Sequence, residues 1–181
     1  MNFDYKKFEI ELKDKTKATF IACTGKLDVK EIAGFALYSD NSAMTISVTC
    51  NTYQHLKELQ SEEEEEEEGD EIYFKWTPGE WKYELVNAKE FQDLCALLRD
   101  THFDENSSIF SIHRNKIYST AVNVLEELRA EGLFENMNDD FVLMFGVSDF
   151  SDHKLEISFV KRLNADVLTQ EFEAWIVTQE E

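Results

Sequence analysis

Apolar and polar positions alternate along this chain with two different periods, and the changes between them mark its elements. From about Asp4 to Cys23, Tyr5, Phe8, Leu12 and Phe20 fall on roughly one face of a helix, with Lys and Glu between them, and Gly25 supplies the stop. The period then shortens. The run Ile32 to Tyr38 is apolar and closes on Ser39-Asp40-Asn41-Ser42, after which Met44 to Cys50 alternates strictly. Two such runs about a polar turn predict a β-hairpin, with Met44, Ile46, Val48 and Cys50 on the buried face and Thr45, Ser47 and Thr49 on the other. Gly34, inside the first run, reads as a bulge or a point of close backbone packing.

Thr52 is placed to cap a short helix carrying Leu56 and Leu59, which runs into a string of glutamates. Ile72 to Trp76 alternates like a strand and breaks at Thr77-Pro78-Gly79. Asn87-Ala88-Lys89-Glu90 has the spacing of a capping box and opens a helix with Phe91, Leu94, Cys95 and Leu98 on one side. A long helix is predicted over about Ile109 to Glu131, with Ile117, Ala121, Val124, Leu125 and Leu128 as its core stripe and Gly132 as its stop. Phe141 to Val147 is continuously apolar, as a central strand buried on both faces would be; Gly146, inside it, reads like Gly34. Leu155 to Leu163 fits either period, and Asp152 as a candidate cap favours a helix. Asn164 is read as the cap of a last helix carrying Val167, Leu168, Phe172, Trp175 and Ile176.

The predicted order is α-β-β-α-β-α-α-β-α-α. It describes an α+β fold: a small, mostly antiparallel sheet with helices packed on it, in a single domain over residues 1–181 with an acidic loop at about 61–71. The composition supports a real core, with 43% hydrophobic residues and fourteen Phe. Three cysteines, Cys23, Cys50 and Cys95, are too few and too scattered for a disulfide framework and read as buried thiols of a reducing compartment. No segment has the length of a membrane span, and the first residues lack the apolar stretch of a signal peptide, so a cytoplasmic protein is expected.

Charge changes the picture most. The formal net charge is -20, and Glu62, Glu63, Glu64, Glu65, Glu66, Glu67 and Glu68 are consecutive. Even without these seven, acids outnumber the 18 Lys and Arg, so the acidity belongs to the whole chain. Such a molecule repels nucleic acid and anionic membrane and attracts basic protein surfaces. The one basic excess is Lys6, Lys7, Lys13, Lys15 and Lys17 on the first helix. Interleaved acids reduce it to a charged face with expected pairs Glu9–Lys13 and Glu11–Lys15.

Candidate chemistry is sparse. His55, His102, His113 and His153 share no metal-ligand spacing with one another or with the cysteines, and phosphate-cradling and nucleophile motifs do not occur. No catalytic residue, metal or cofactor is therefore assigned. Asp139-Asp140 and Asp149…Asp152 bracket the apolar strand and, with Glu80, are the carboxylates an acid-catalysed or metal-assisted hydrolytic site would use; their ordinary role is capping and solvation. The segment Tyr73 to Glu84 sets Trp76 and Trp81 around Pro78-Gly79, with Glu80 at the apex. Its tryptophans are expected as core anchors, and its exposed part as an interaction surface.

Three stretches resemble a bacterial family catalogued as domain of unknown function 4303: Gly34-Phe35-Ala36-Leu37-Tyr38-Ser39-Asp40 with Met44-Thr45 and Asn51-Thr52; Lys75-Trp76-Thr77-Pro78-Gly79-Glu80-Trp81-Lys82-Tyr83-Glu84; and Lys161-Arg162-Leu163-Asn164. The tryptophan segment is the specific part. Gly79 departs from the family's usual alanine there, and the long glutamate run is also unusual. The resemblance implies no catalytic residue. It implies a small acidic protein of the kind that accompanies bacterial toxins. The expectation is a non-catalytic binding protein, of immunity or antitoxin type, that occludes a basic toxin domain through Glu62–Glu68, Trp76, Glu80 and Trp81. The alternative is a hydrolase with a carboxylate site.

Overall fold

The computed structural model describes residues 3–62, 70–83, 88–101 and 107–179. Its elements are α1 (Tyr5–Thr24), β1 (Ile32–Ser39), β2 (Ile46–Thr52), α2 (Tyr53–Glu62), α3 (Asp70–Trp76), α4 (Ala88–Arg99), α5 (Ser108–Ala130), β3 (Val142–Val147), α6 (His153–Leu163) and α7 (Asp166–Thr178), with a 3₁₀ turn at Pro78–Glu80. The fold is α+β. The sheet has the order β2-β1-β3 and is mixed: β1 runs antiparallel to β2 and parallel to β3. The hairpin is as expected. The long return through four helices brings the third strand back parallel, which a hairpin connection cannot do.

Both faces of the sheet are covered. On the front, Phe35 and Leu37 of β1 join Ile46, Val48 and Cys50 of β2 and Leu143 and Phe145 of β3. They pack against Phe8, Leu12 and Phe20 of α1, Phe91 and Leu94 of α4, and the Ile117–Leu128 stripe of α5. On the back, Ala36, Val142 and Met144 meet Trp76, Trp81, Leu168, Phe172 and Ile176. Helix α6 feeds both layers, Phe159 and Leu163 to the front and Val160 to the back. Hence β3 is buried on both faces, as its unbroken apolar run predicts, but it is an edge strand and β1 is the central one.

The back layer lies close to the strands because glycines leave room for it. A Cβ on Gly34 would stand 2.7 Å from Cη2 of Trp81, and one on Gly146 would stand 2.9 Å from Cγ of Pro78. Gly34 also adjoins a register irregularity in the β1–β2 pairing. Both readings of that glycine hold, close packing and a bulge.

Three local expectations are corrected. Residues 72–76 form helix α3 and not a strand. Ile72 and Trp76, four apart, both face the back layer, and Glu171 of α7 accepts from Trp76 Nε1 (2.9 Å) while pairing with Lys75 (2.6 Å). Met44 lies outside β2 and is 37% exposed. The Asp40 carboxylate accepts from Ser42 N (2.8 Å) and Met44 N (3.1 Å) and from the Thr45 hydroxyl, holding residues 40–45 in a loop with Ala43 at φ 53°. Lys13 pairs with Glu127 (2.7 Å) and Glu131 (2.8 Å) across to α5 rather than with Glu9, and Glu11 pairs with Lys7 (3.7 Å) rather than Lys15. The first helix packs on α5, so Lys13 finds two carboxylates at the C-terminal end of α5 across that seam.

Other signals hold. Gly25 ends α1, Thr52 Oγ1 accepts from His55 N at the start of α2 (3.2 Å), Asp152 caps α6, and Gly132 at φ 82° follows α5. Asn87 of the capping box and residues 63–69 lie outside the described residues, so the acidic loop is seen only to its flanks at Glu62 and Asp70. Cys23 and Cys50 are buried free thiols, and Cys95 is half-buried.

Side chains close the edges of the small sheet. Asn164 does not cap α7, whose N-cap is Ala165. It lies against the free edge of β3, where Oδ1 accepts from Leu143 N (3.0 Å) and Nδ2 donates to Leu143 O (2.8 Å), as a neighbouring strand would. On the β2 edge, Cys95 Sγ meets both polar groups of Ile46, and Tyr83 pairs with Cys50 through two backbone bonds. Uncovered edges invite pairing with other chains. Replacing Asn164 by Ala leaves two half-buried backbone groups unpaired and should cost about 2–3 kcal/mol; Asn164→Asp, which cannot donate to Leu143 O, should cost no less. Urea unfolding of both variants checks this, and an unchanged midpoint would refute it.

Candidate functional site

The parallel pair β1 and β3 ends at a cleft of about 390 Å³. Ligand sites of sheets with parallel strands favour such C-terminal strand ends. Met144, Gly146, Trp76 and Phe172 form its buried floor. Thr77, Pro78 and Gly79 make one wall, and the loop Ser148-Asp149-Phe150 makes another. Tyr38 enters from β1, Tyr73 from α3 and Trp175 from α7. Among the described residues that line it, none is Lys or Arg.

Its polar centre lies on the first turn of α6. Asp152 caps the helix by accepting from Leu155 N (3.1 Å), which fixes the faces of the residues that follow. His153 and Glu156, three apart, then share one side, with Nδ1 of the first 3.1 Å from Oε2 of the second. The Glu156 side chain is only 15% exposed. Burial raises its pKa above the ordinary carboxylate value, and His153 opposes that rise without cancelling it. The carboxylate can receive a cation or a hydrogen-bond donor.

A second cavity, of about 340 Å³, lies at the opposite end of β3, near Phe141. Its principal donors are committed to structure: Arg129 donates to Leu163 O, Asn138 to Lys30 O (3.0 Å), and Asn164 covers Leu143. Of these two cavities, the C-terminal cleft is the candidate site.

The residues singled out in the sequence are dispersed. Trp76 lies in the cleft floor, 1% exposed, and the turn after it forms the wall. Trp81, 3% exposed, packs over Gly34 away from the cleft and donates Nε1–H to Phe74 O (3.0 Å). Glu80 is exposed at the end of the 3₁₀ turn. Glu63 to Glu68 and the side chain of Glu62 lie outside the described residues. The four aspartates bracketing β3 do not converge: Asp139 and Asp140 precede the strand and Asp149 and Asp152 follow it, about 20 Å apart at strand rise. Asp140 instead accepts from Tyr53 Oη (2.5 Å). Among the described residues, no three His, Cys, Asp or Glu gather as metal ligands would.

Sequence reasoning missed His153, Glu156, Tyr38, Tyr73 and Trp175 as a group. The available signal was a His and a Glu three apart just after a candidate helix cap that follows an apolar strand.

The raised pKa of Glu156 has a definite sign in stability. A carboxyl whose folded pKa exceeds its unfolded value contributes stability that is full below the ordinary 4.5 and is lost as pH rises through the raised value. The stability of the parent relative to Glu156→Gln should therefore fall as pH rises from about 4 to about 7. Parallel thermal unfolding of the two proteins checks this; a difference that is flat or rises with pH would contradict it.

No curated protein and no solved structure matches the sequence. The model of the family described as "Domain of unknown function (DUF4303)" matches residues 12–165, from the first helix to the residue before α7, and so takes in all three strands and the His153–Glu156 pair. The chain belongs to that family.

Proposed function

We propose that this protein is a non-catalytic acidic binding protein that occludes a basic protein domain, in the manner of an immunity protein or antitoxin in a bacterial cytoplasm. The net charge of -20 carries the reading. Electrostatic attraction of that size speeds encounter with a basic surface and disfavours acidic ones. The arrangement of cations supports it. On α1, where lysines concentrate, Lys7, Lys13 and Lys17 are paired with glutamates, which reduces the basic character of this helix. In sequence, the run Glu62 to Glu68 precedes α3 and the exposed Glu80 follows it, adding to the acidic character. Trp76 and Trp81, being buried, serve this function by holding the segment in place. A carboxylate hydrolase is less well supported, because the aspartates around β3 stand at its two ends.

The test is co-expression with the products of adjacent genes. A basic toxic protein should be neutralised and co-purify. Its association rate should fall by roughly tenfold or more as salt rises well above physiological strength, where surface charges are screened. Exchanging Glu62–Glu68 for a Gly-Ser linker of equal length should slow association severalfold and leave the melting temperature unchanged. Absence of any retained basic protein at low salt, together with no relief of toxicity, would overturn the proposal.

A further inference from the structure

The same structure already holds one cation between an aromatic ring and a carboxylate. Lys75 Nζ lies 5.4 Å from the centre of the Trp76 ring and 2.6 Å from Glu171. The cleft repeats these ingredients on a larger scale. Phe172 touches Trp76 (ring centres 5.0 Å) and Trp175 (5.6 Å), so three rings tile from floor to rim. Tyr73 faces them from α3, 37% exposed, and the half-buried Glu156 and exposed Asp149 supply negative charge. With no Lys or Arg among the described lining residues, the field inside the cleft favours a positive guest.

We propose that this cleft receives the guanidinium group of an arginine side chain, stacked on Trp175 and Tyr73 and hydrogen-bonded to Glu156. Arginine fits better than lysine for physical reasons. Its guanidinium is planar, so it stacks on rings, and its forked N–H groups match a carboxylate. It is also less strongly hydrated than an ammonium group, so entering a half-buried site costs less. His153, which also lines the cleft, holds Glu156 in position through the 3.1 Å contact. That the arginine belongs to a basic protein rests on the function proposed above; the chemistry of the cleft does not.

The experiment uses the full chain and N-acetyl-L-arginine N-methylamide as probe, followed through the indole N–H resonance of Trp175. Saturable binding is expected with a Kd of roughly millimolar, as suits so small a ligand. It should be at least about tenfold tighter than that of the citrulline counterpart, which keeps the shape and lacks the charge. The lysine counterpart should bind more weakly than the arginine probe, and Glu156→Gln should weaken arginine binding by about tenfold. Should that variant fail to fold, Tyr73→Ala, at an exposed position, should weaken binding severalfold. Equal binding of arginine and citrulline probes, or unaltered affinity in a folded Glu156→Gln protein, would overturn the proposal. Free L-arginine binding far more tightly than the blocked probe would also overturn it, by pointing to a metabolite rather than a protein side chain. The two proposals fail separately. A bound probe with no basic partner leaves the cleft assignment standing, and a basic partner that the probe does not displace and whose affinity survives Glu156→Gln leaves only the acidic binding role.

Discussion

The back layer of this protein lies as close to the sheet as it does because two strands carry no side chain at Gly34 and Gly146. Trp81 lies over Gly34 at a distance that leaves no space for a methyl group, and Pro78 lies over Gly146 in the same way. Between them Ala36 is the small residue that lets Trp76 and Phe172 reach the sheet. A three-stranded sheet offers little area, and large flat aromatics laid directly on its backbone make the most of it. The turn Thr77-Pro78-Gly79 is held where it is by this contact, with Thr49 Oγ1 donating to Pro78 O (3.3 Å) from β2.

The cleft follows from that arrangement. Gly146 stands at the end of β3, and the Pro78 ring that occupies the space above it is also the wall of the cleft. Beyond Gly146 the chain turns through Asp149, at φ 52°, into α6, which delivers His153 and Glu156 to the opposite wall. The edges of the sheet are closed by Asn164 on one side and by Cys95 and Tyr83 on the other. The strand ends at the cleft are thus the part of the sheet where side chains of several elements meet around open space.

Much of this is legible in the sequence where a local rule and the fold agree. The unbroken run Phe141 to Val147 reads as a doubly buried strand because that is the only place such a run is stable. The ambiguous stretch 155–163 is resolved by Asp152, a cap that acts within one turn. Ile72 to Trp76 misleads because Ile72, Phe74 and Trp76 satisfy a period of two while Ile72 and Trp76 also satisfy a helix. Only Glu171, almost a hundred residues on, decides between them. Asn164 looks like a helix cap because the group it serves, Leu143, is distant in sequence. The cleft is harder still: His153 and Glu156 are neighbours, but Tyr38, Tyr73 and Trp175 come from three separate elements, and no local pattern relates them.

The chain's acidity is proposed to draw a basic surface; its ring-lined recess is walled by Pro78 over Gly146, in the back layer that the Trp81–Gly34 contact holds close to the sheet. That contact is the account's central claim, and a double-mutant cycle on Gly34→Ala and Trp81→Phe tests it most directly. Phenylalanine lacks the outer part of the indole, which holds all three atoms crowding Gly34. Gly34→Ala alone should cost about 1–3 kcal/mol, and in the Trp81→Phe protein less than about 0.5 kcal/mol, a coupling of at least about 0.5 kcal/mol. Additive effects in urea unfolding, within about 0.3 kcal/mol, would contradict it.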